Sequence, residues 1–190
     1  WSDGEPVTAS DFVFSLRRIS DPQTGAQYVS LLFPIEGIAA ASRGEISPDQ
    51  IGVRAIDDRT LEISLENPAP YLPGLLTHYT AFPMPEHVVD QYGDEWVRPE
   101  NIQSNGAFRL ADWRTNNYVH LVRNENFFDN QNVCLDEVFF YPTVDNSAAS
   151  RRVRNGELDL NMEFPGQQLD FARFSSDELL ATYLNERDVL

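Results

Sequence analysis

Lysine is missing from this chain altogether: all 14 basic residues among its 190 are arginine. Chemistry that depends on a lysine amine is thereby excluded, including Schiff bases, pyridoxal anchoring and the phosphate-binding lysine of a P-loop. Positive charge is also scarce, 14 basic against 30 acidic residues for a net charge of −16. A nucleic-acid surface carries the opposite balance, so no nucleic-acid partner is expected. Polyanionic substrates and anionic membrane surfaces are disfavoured for the same reason. An acidic surface without lysine fits either a genomic composition bias or a saline habitat. No apolar run approaches the roughly 18 residues of a membrane helix, so direct membrane insertion of this segment is not expected. Cysteine occurs once, as Cys134, so no internal disulfide can form. It lies in the alternating stretch NVCLDEVFFYP, which predicts a buried small apolar side chain. The nearest histidine in sequence is His120, and a reactive thiol needs a base close by.

Catalytic signatures are absent too. His78, His87 and His120 lie far apart in sequence, and none has a second histidine or a cysteine three or four residues away. There is no HExxH, CxxC, GxSxG or glycine-rich phosphate loop. Carboxylates are plentiful, and two of them could meet in space as an acid–base pair, but nothing in their spacing selects a pair. Nothing therefore argues for an enzyme, and no cofactor or metal is expected.

What the chain does contain is patterned. Hydrophobic residues make up 42%, enough for a packed core. Residues 8–19 (TASDFVFSLRRI) predict a helix: Thr8 and Asp11 have capping-box spacing, and Phe12, Leu16 and Ile19 share a face. SDPQTG stops it. A weaker helix is expected over 35–43, ending near Gly44. IGVRAID and TLEISLE alternate on either side of Asp57-Asp58-Arg59 and predict an antiparallel hairpin with one buried face. Short helices follow around 70–78 and 85–91. After RPENIQSNGAF the pattern changes, with strands expected at 106–113, 118–124 and 135–141. A helix at 146–154 ends at Asn155-Gly156. A strand over 157–162, a helix within 168–180 and a strand near 181–186 complete the reading. The change of pattern puts a boundary near 103–106.

Several stretches, in order, carry a resemblance: WSDGEPVTASDFVFSLRRISDPQTG, DRTLEISLENPAPYL, SNGAFRLADW, VRNENFFD and LDEVFFYPTVDNSAASRRVRNGELDLNM. The chain resembles bacterial extracellular solute-binding proteins of the oligopeptide/dipeptide type, the receptors of peptide ABC importers. The opening signature (Asp3-Gly4, Pro6 to Ala9, Asp11-Phe12) and the helix–NGE–strand unit at 145–162 carry it most specifically. The resemblance implies a stretch of a periplasmic-binding-protein type II fold, mixed α+β and α/β. Residues 1–103 would be the extra α+β subdomain of this family, and 104–190 part of the first lobe. It also implies an excised piece, with an export signal and N-terminal segment before Trp1 and a second lobe after Leu190. A piece of that kind should bind peptide weakly or not at all by itself.

The implied function is capture of a short peptide in extended form between two lobes, without chemistry. The peptide would run as an added strand, with its side chains in hydrated pockets and the lobes closing by a hinge. The implied partners are that peptide and the membrane permease subunits of the importer. The implied location is periplasmic or extracellular, with a lipid anchor in a Gram-positive cell. Tyr28 matches a ligand-contacting tyrosine of the extra subdomain; its plain alternative is a buried aromatic. Asn161, Met162, Glu163 and Phe164 match the segment running beside the peptide backbone. Met162 departs from the pattern, standing where the oligopeptide receptor has tyrosine; it would line an adaptable pocket or pack in the core. Relatives of the same fold also bind nickel chelates, haem or sugars, and a non-transport interaction or signalling domain is a further alternative.

Overall fold

Thr8 begins the first element as its spacing predicts. Helix α1 spans Ala9–Ser20, and the Thr8 backbone N–H donates to Asp11 Oδ2 at 2.8 Å. Asp11 thereby supplies the carboxylate half of a capping box and sets negative charge at the positive end of the helix. Arg17 and Arg18 occupy the last turn, where cations complement the dipole. Val13 and Leu16 are buried, with Ile19 packed beside them. A computed structural model describes residues 1–161. It divides the chain into two compact units, Trp1–Thr115 with Val119–Phe140, and Asn116–Tyr118 with the residues from Tyr141 on.

The core of the first unit joins α1 to a short hairpin. Strands β1 (Val53–Asp57) and β2 (Thr60–Ile63) pair antiparallel, with Val53 opposite Ile63 and a bulge between Ala55 and Asp57. Leu32, Ile35, Ile38 and Ala41 are fully buried against Leu16, Ile51 and Val53. The helix expected over 35–43 is shorter: α2 spans only Ile38–Ser42. Ile35 instead forms an isolated antiparallel bridge with Leu65, just beyond β2. Gly37 then reverses the chain at φ +78°, a left-handed conformation that glycine adopts freely. Tertiary pairing thus takes the residues that periodicity assigns to the first turn of a helix.

Gly52 shows how closely these segments lie. Its N–H donates to the Glu36 carbonyl at 2.8 Å, and its carbonyl accepts from Ser64 N–H at 2.7 Å. A Cβ at this position would sit 2.8 Å from Glu36 Cβ and 2.9 Å from Ser64 Cβ. Neither neighbour is the end of a flexible side chain, so the backbones themselves must part. Gly52→Ala is expected to cost about 1–3 kcal/mol by overpacking, seen as a lower urea midpoint. An unchanged midpoint would contradict the packing described.

Beyond the hairpin, α3 (Leu72–Leu75) and a 3-10 turn at Tyr79–Ala81 replace the single helix expected around 70–78. Helix α4 spans Glu86–Tyr92. A second sheet has the order β3 (Phe108–Arg114), β4 (Tyr118–Arg123), β5 (Glu137–Phe140). Strand β5 pairs antiparallel with β4 and is shorter than the stretch 135–141. Cys134 lies before the strand begins and is exposed. The expectation of a buried thiol fails because alternation orders only residues inside a ladder. The N-terminal stretch is tied to the start of this region. Ser2 Oγ accepts from Ser104 N–H at 3.0 Å, and buried Asn124 donates to the Gly106 carbonyl at 2.9 Å.

In the second unit, α5 spans Asn146–Arg154, as its sequence predicts. Asp145 Oδ1 caps it, accepting from Ser147 N–H at 2.9 Å and Ala148 N–H at 3.2 Å. Arg152 lies 4.9 Å over the Tyr141 ring. Gly156, at φ +73°, follows the helix end. Residues 157–161 then run as irregular chain where a strand is expected. A strand requires a ladder partner, and none pairs with them among the described residues. The remaining elements expected after residue 161 lie outside the described residues.

Candidate functional site

Tyr28 stands at the head of a 3-10 turn, Val29–Leu32. Its carbonyl accepts from Leu31 N–H at 3.1 Å. Leu32, the last residue of the turn, is fully buried and fixes it to the core. The Tyr28 ring is 50% exposed, so it is not a buried aromatic.

Two further rings meet it there. His78 lies 5.7 Å from Tyr28, and Tyr79 lies 6.0 Å from Tyr28 in an edge-on arrangement. His78 and Tyr79 are 4.1 Å apart at 32°. Tyr79 is 62% exposed. His78 Nδ1 accepts from Thr80 N–H at 3.3 Å and lies 2.8 Å from Thr80 Oγ1. A backbone N–H can only donate, so in the neutral ring the proton sits on Nε2.

The chain just after the turn that carries Tyr79 is tied to α1. Met84 N–H donates to Ser15 Oγ at 2.6 Å, and Ser15 Oγ donates in turn to the Asp11 carbonyl at 2.7 Å. Buried Asp11 also accepts from Trp1 Nε1 at 3.3 Å and from Glu86 N–H at 3.4 Å. One carboxylate thus gathers the N-terminus, the start of α1 and the start of α4. The opening signature is explained largely by this hub and by Asp3, whose carboxylate accepts from His87 Nε2 at 2.7 Å.

Burial and the neighbours of this region leave two carboxyls shifted in opposite directions. Burial works to raise Asp3, but the hydrogen bonds from His87 and the Glu5 backbone outweigh it and hold the carboxyl below its ordinary value. Glu86 is pushed up, first by burial and then by the negative charges of Asp90 and Asp11, with Arg17 opposing.

Among the other residues named from sequence, Asn161 is half-buried in the second unit and its Nδ2 donates to Ser150 Oγ at 3.3 Å. Met162, Glu163 and Phe164 lie outside the described residues. The three histidines occupy separate places with separate partners. His78 meets Thr80, His87 meets Asp3, and His120 meets Glu137 at 2.9 Å while stacked 4.1 Å from Phe139. Among the described residues, no group of three or more histidine, cysteine, aspartate or glutamate side chains could hold a metal ion.

Sequence reading missed the association of His78 and Tyr79 with Tyr28. The three rings come from segments about fifty positions apart, and no periodicity records such a contact. The only local signal is the pair of adjacent rings in THYTAFP, between two short elements.

Comparison with known proteins gives one consistent result. Residues 1–181 match the model of the bacterial extracellular solute-binding proteins, family 5. The periplasmic oligopeptide-binding protein OppA of Salmonella typhimurium is 39% identical over 162 residues, covering 84% of this chain and 30% of that protein. The probable deoxycholate-binding periplasmic protein YgiS of Escherichia coli is 41% identical over 172 residues, covering 89% and 32%. Among solved structures, OppA of Burkholderia pseudomallei superposes with a TM-score of 0.88 at 34% identity, covering 91% of this chain and 34% of that one. The chain therefore spans about a third of the length of the relatives it matches. Over that span it has the mixed helix-and-sheet fold of the periplasmic peptide-binding proteins.

Proposed function

The chain belongs to family 5 of the bacterial extracellular solute-binding proteins, and from that membership we propose that the full-length protein is the substrate-capturing receptor of a peptide ABC importer. It takes up short peptides in extended form and delivers them to the permease subunits in the membrane. It works in the periplasm or, in a Gram-positive cell, as a lipid-anchored protein at the outer surface. Capture needs no chemistry, and the relatives described above are named as binding proteins.

The observation that carries this reading is likeness to oligopeptide receptors in both sequence and backbone over the same stretch. Residues 1–103 form the extra subdomain and 104–190 part of the first lobe. In support, among the described residues every buried member of the hydrophobic cluster lies between Val13 and Ala81. Tyr28 reaches the ligand from the extra subdomain, and Asn161, Met162, Glu163 and Phe164 run beside the peptide main chain. The exposure of the Tyr28 ring supports its part in this. Main-chain pairing holds peptides of varied sequence, and bridging waters fill the side-chain pockets.

Native mass spectrometry of the gently purified full-length protein tests the reading. The expected result is a ladder of masses released as mixed short peptides. A single non-peptide mass, such as a bile acid, a metal chelate or a glycan, would overturn the peptide assignment and keep the fold.

A further inference from the structure

Large aromatic rings usually bury most of their surface, and a cluster of exposed ones asks for an occupant in a way that scattered ones do not. Tyr28 and Tyr79 are 50% and 62% exposed and meet at one spot on the first unit. His78 covers one face of Tyr79, with ring centroids 4.1 Å apart. His78 leaves the other face of Tyr79 uncovered.

The backbone that carries these rings is held in place. Thr80 pins His78 through Nδ1. Tyr79 opens a 3-10 turn whose next two residues, Thr80 and Ala81, are buried. Tyr28 is fixed by a turn whose Leu32 is fully buried. Rings on a fixed backbone, one of them pinned by a hydrogen bond, lose less conformational freedom on contact, so the surface is partly preorganised.

We propose that Tyr79 is a specificity-determining residue, which with His78 and Tyr28 forms an aromatic shelf for one aromatic side chain of the bound peptide. This rests on the peptide-receptor reading above. The open face of Tyr79 offers offset stacking, with Tyr28 standing beside it at 85°. An extended peptide turns alternate side chains to opposite sides, so one position along it meets the shelf. A cationic side chain would also be drawn to a tyrosine face. The Nε2–H of His78 disfavours it, because a donor beside the rings opposes a cation and tolerates a neutral ring.

The test is calorimetric titration of the full-length protein with tetra-alanine, with the four tetrapeptides that carry a single phenylalanine, and with the four that carry a single lysine. One phenylalanine position is expected to bind about three- to tenfold tighter than tetra-alanine. Tyr79→Ala is expected to bring that ratio close to one, and Tyr79→Phe to keep it. Tyr79 is exposed, so folding is not at stake, and circular dichroism of both variants checks that. Peptide binding by the wild type without phenylalanine preference, a preference for lysine, or a phenylalanine preference that survives Tyr79→Ala would each overturn the shelf alone. Failure of every peptide to bind the wild type would overturn the receptor reading along with it.

Discussion

Asp11→Ala lowers the urea midpoint by about 1–2 M, the equivalent of roughly 2–3 kcal/mol at the slopes usual for small domains. Asp11 is buried, and its carboxylate serves Thr8 N–H, Trp1 Nε1 and Glu86 N–H. The shortest of these, at 2.8 Å, is the helix cap, and losing a cap costs about 1 kcal/mol. The rest comes from donors left without an acceptor in a buried place, each costing about 1–3 kcal/mol. One effect runs the other way. Asp11 is among the charges that push Glu86 up, so its removal relieves Glu86 and returns part of the loss. Asp11→Asn keeps one acceptor oxygen and gives the same relief, so it falls between the wild type and alanine. A midpoint unchanged in Asp11→Ala would show that the N-terminus and α4 are held without the hub.

The hub is half visible in the sequence. Thr8 and Asp11 stand at capping-box spacing, and that local relation survives in the structure. The bonds to Trp1 and Glu86 join residues up to 75 positions apart, and no local pattern contains them. The same division runs through the fold. Helix α1, the hairpin and α5 follow their patterns because a cap, a turn and a helix stop are local relations. The helix expected at 35–43 shrinks because Ile35 is claimed by Leu65, about thirty positions away. Cys134 is misplaced because its alternating stretch begins before the ladder of β5 does. At the candidate site, Tyr28 is legible only through resemblance. Tyr79 is not legible at all, since what distinguishes it is the company of His78 and Tyr28 in space.

Leu32→Ala joins core and shelf in one measurement. Leu32 is fully buried in the cluster that includes Leu16, Ile35, Ile38 and Val53. Its replacement removes the transfer energy of the lost carbons and leaves a cavity, a cost of about 2–5 kcal/mol. The same residue closes the 3-10 turn whose first carbonyl belongs to Tyr28. With the turn loosened, the Tyr28 backbone no longer sets the ring edge-on to Tyr79, and the shelf loses preorganisation. The variant is therefore expected to fall in urea midpoint and, under conditions where it remains folded, to discriminate less between phenylalanine and alanine tetrapeptides. Phe33 lies next in the chain but is partly exposed, so Phe33→Ala should cost less stability than Leu32→Ala. A Leu32→Ala protein that is destabilised yet keeps its full phenylalanine preference would mean that the Tyr28 turn is held by something other than the core beneath it.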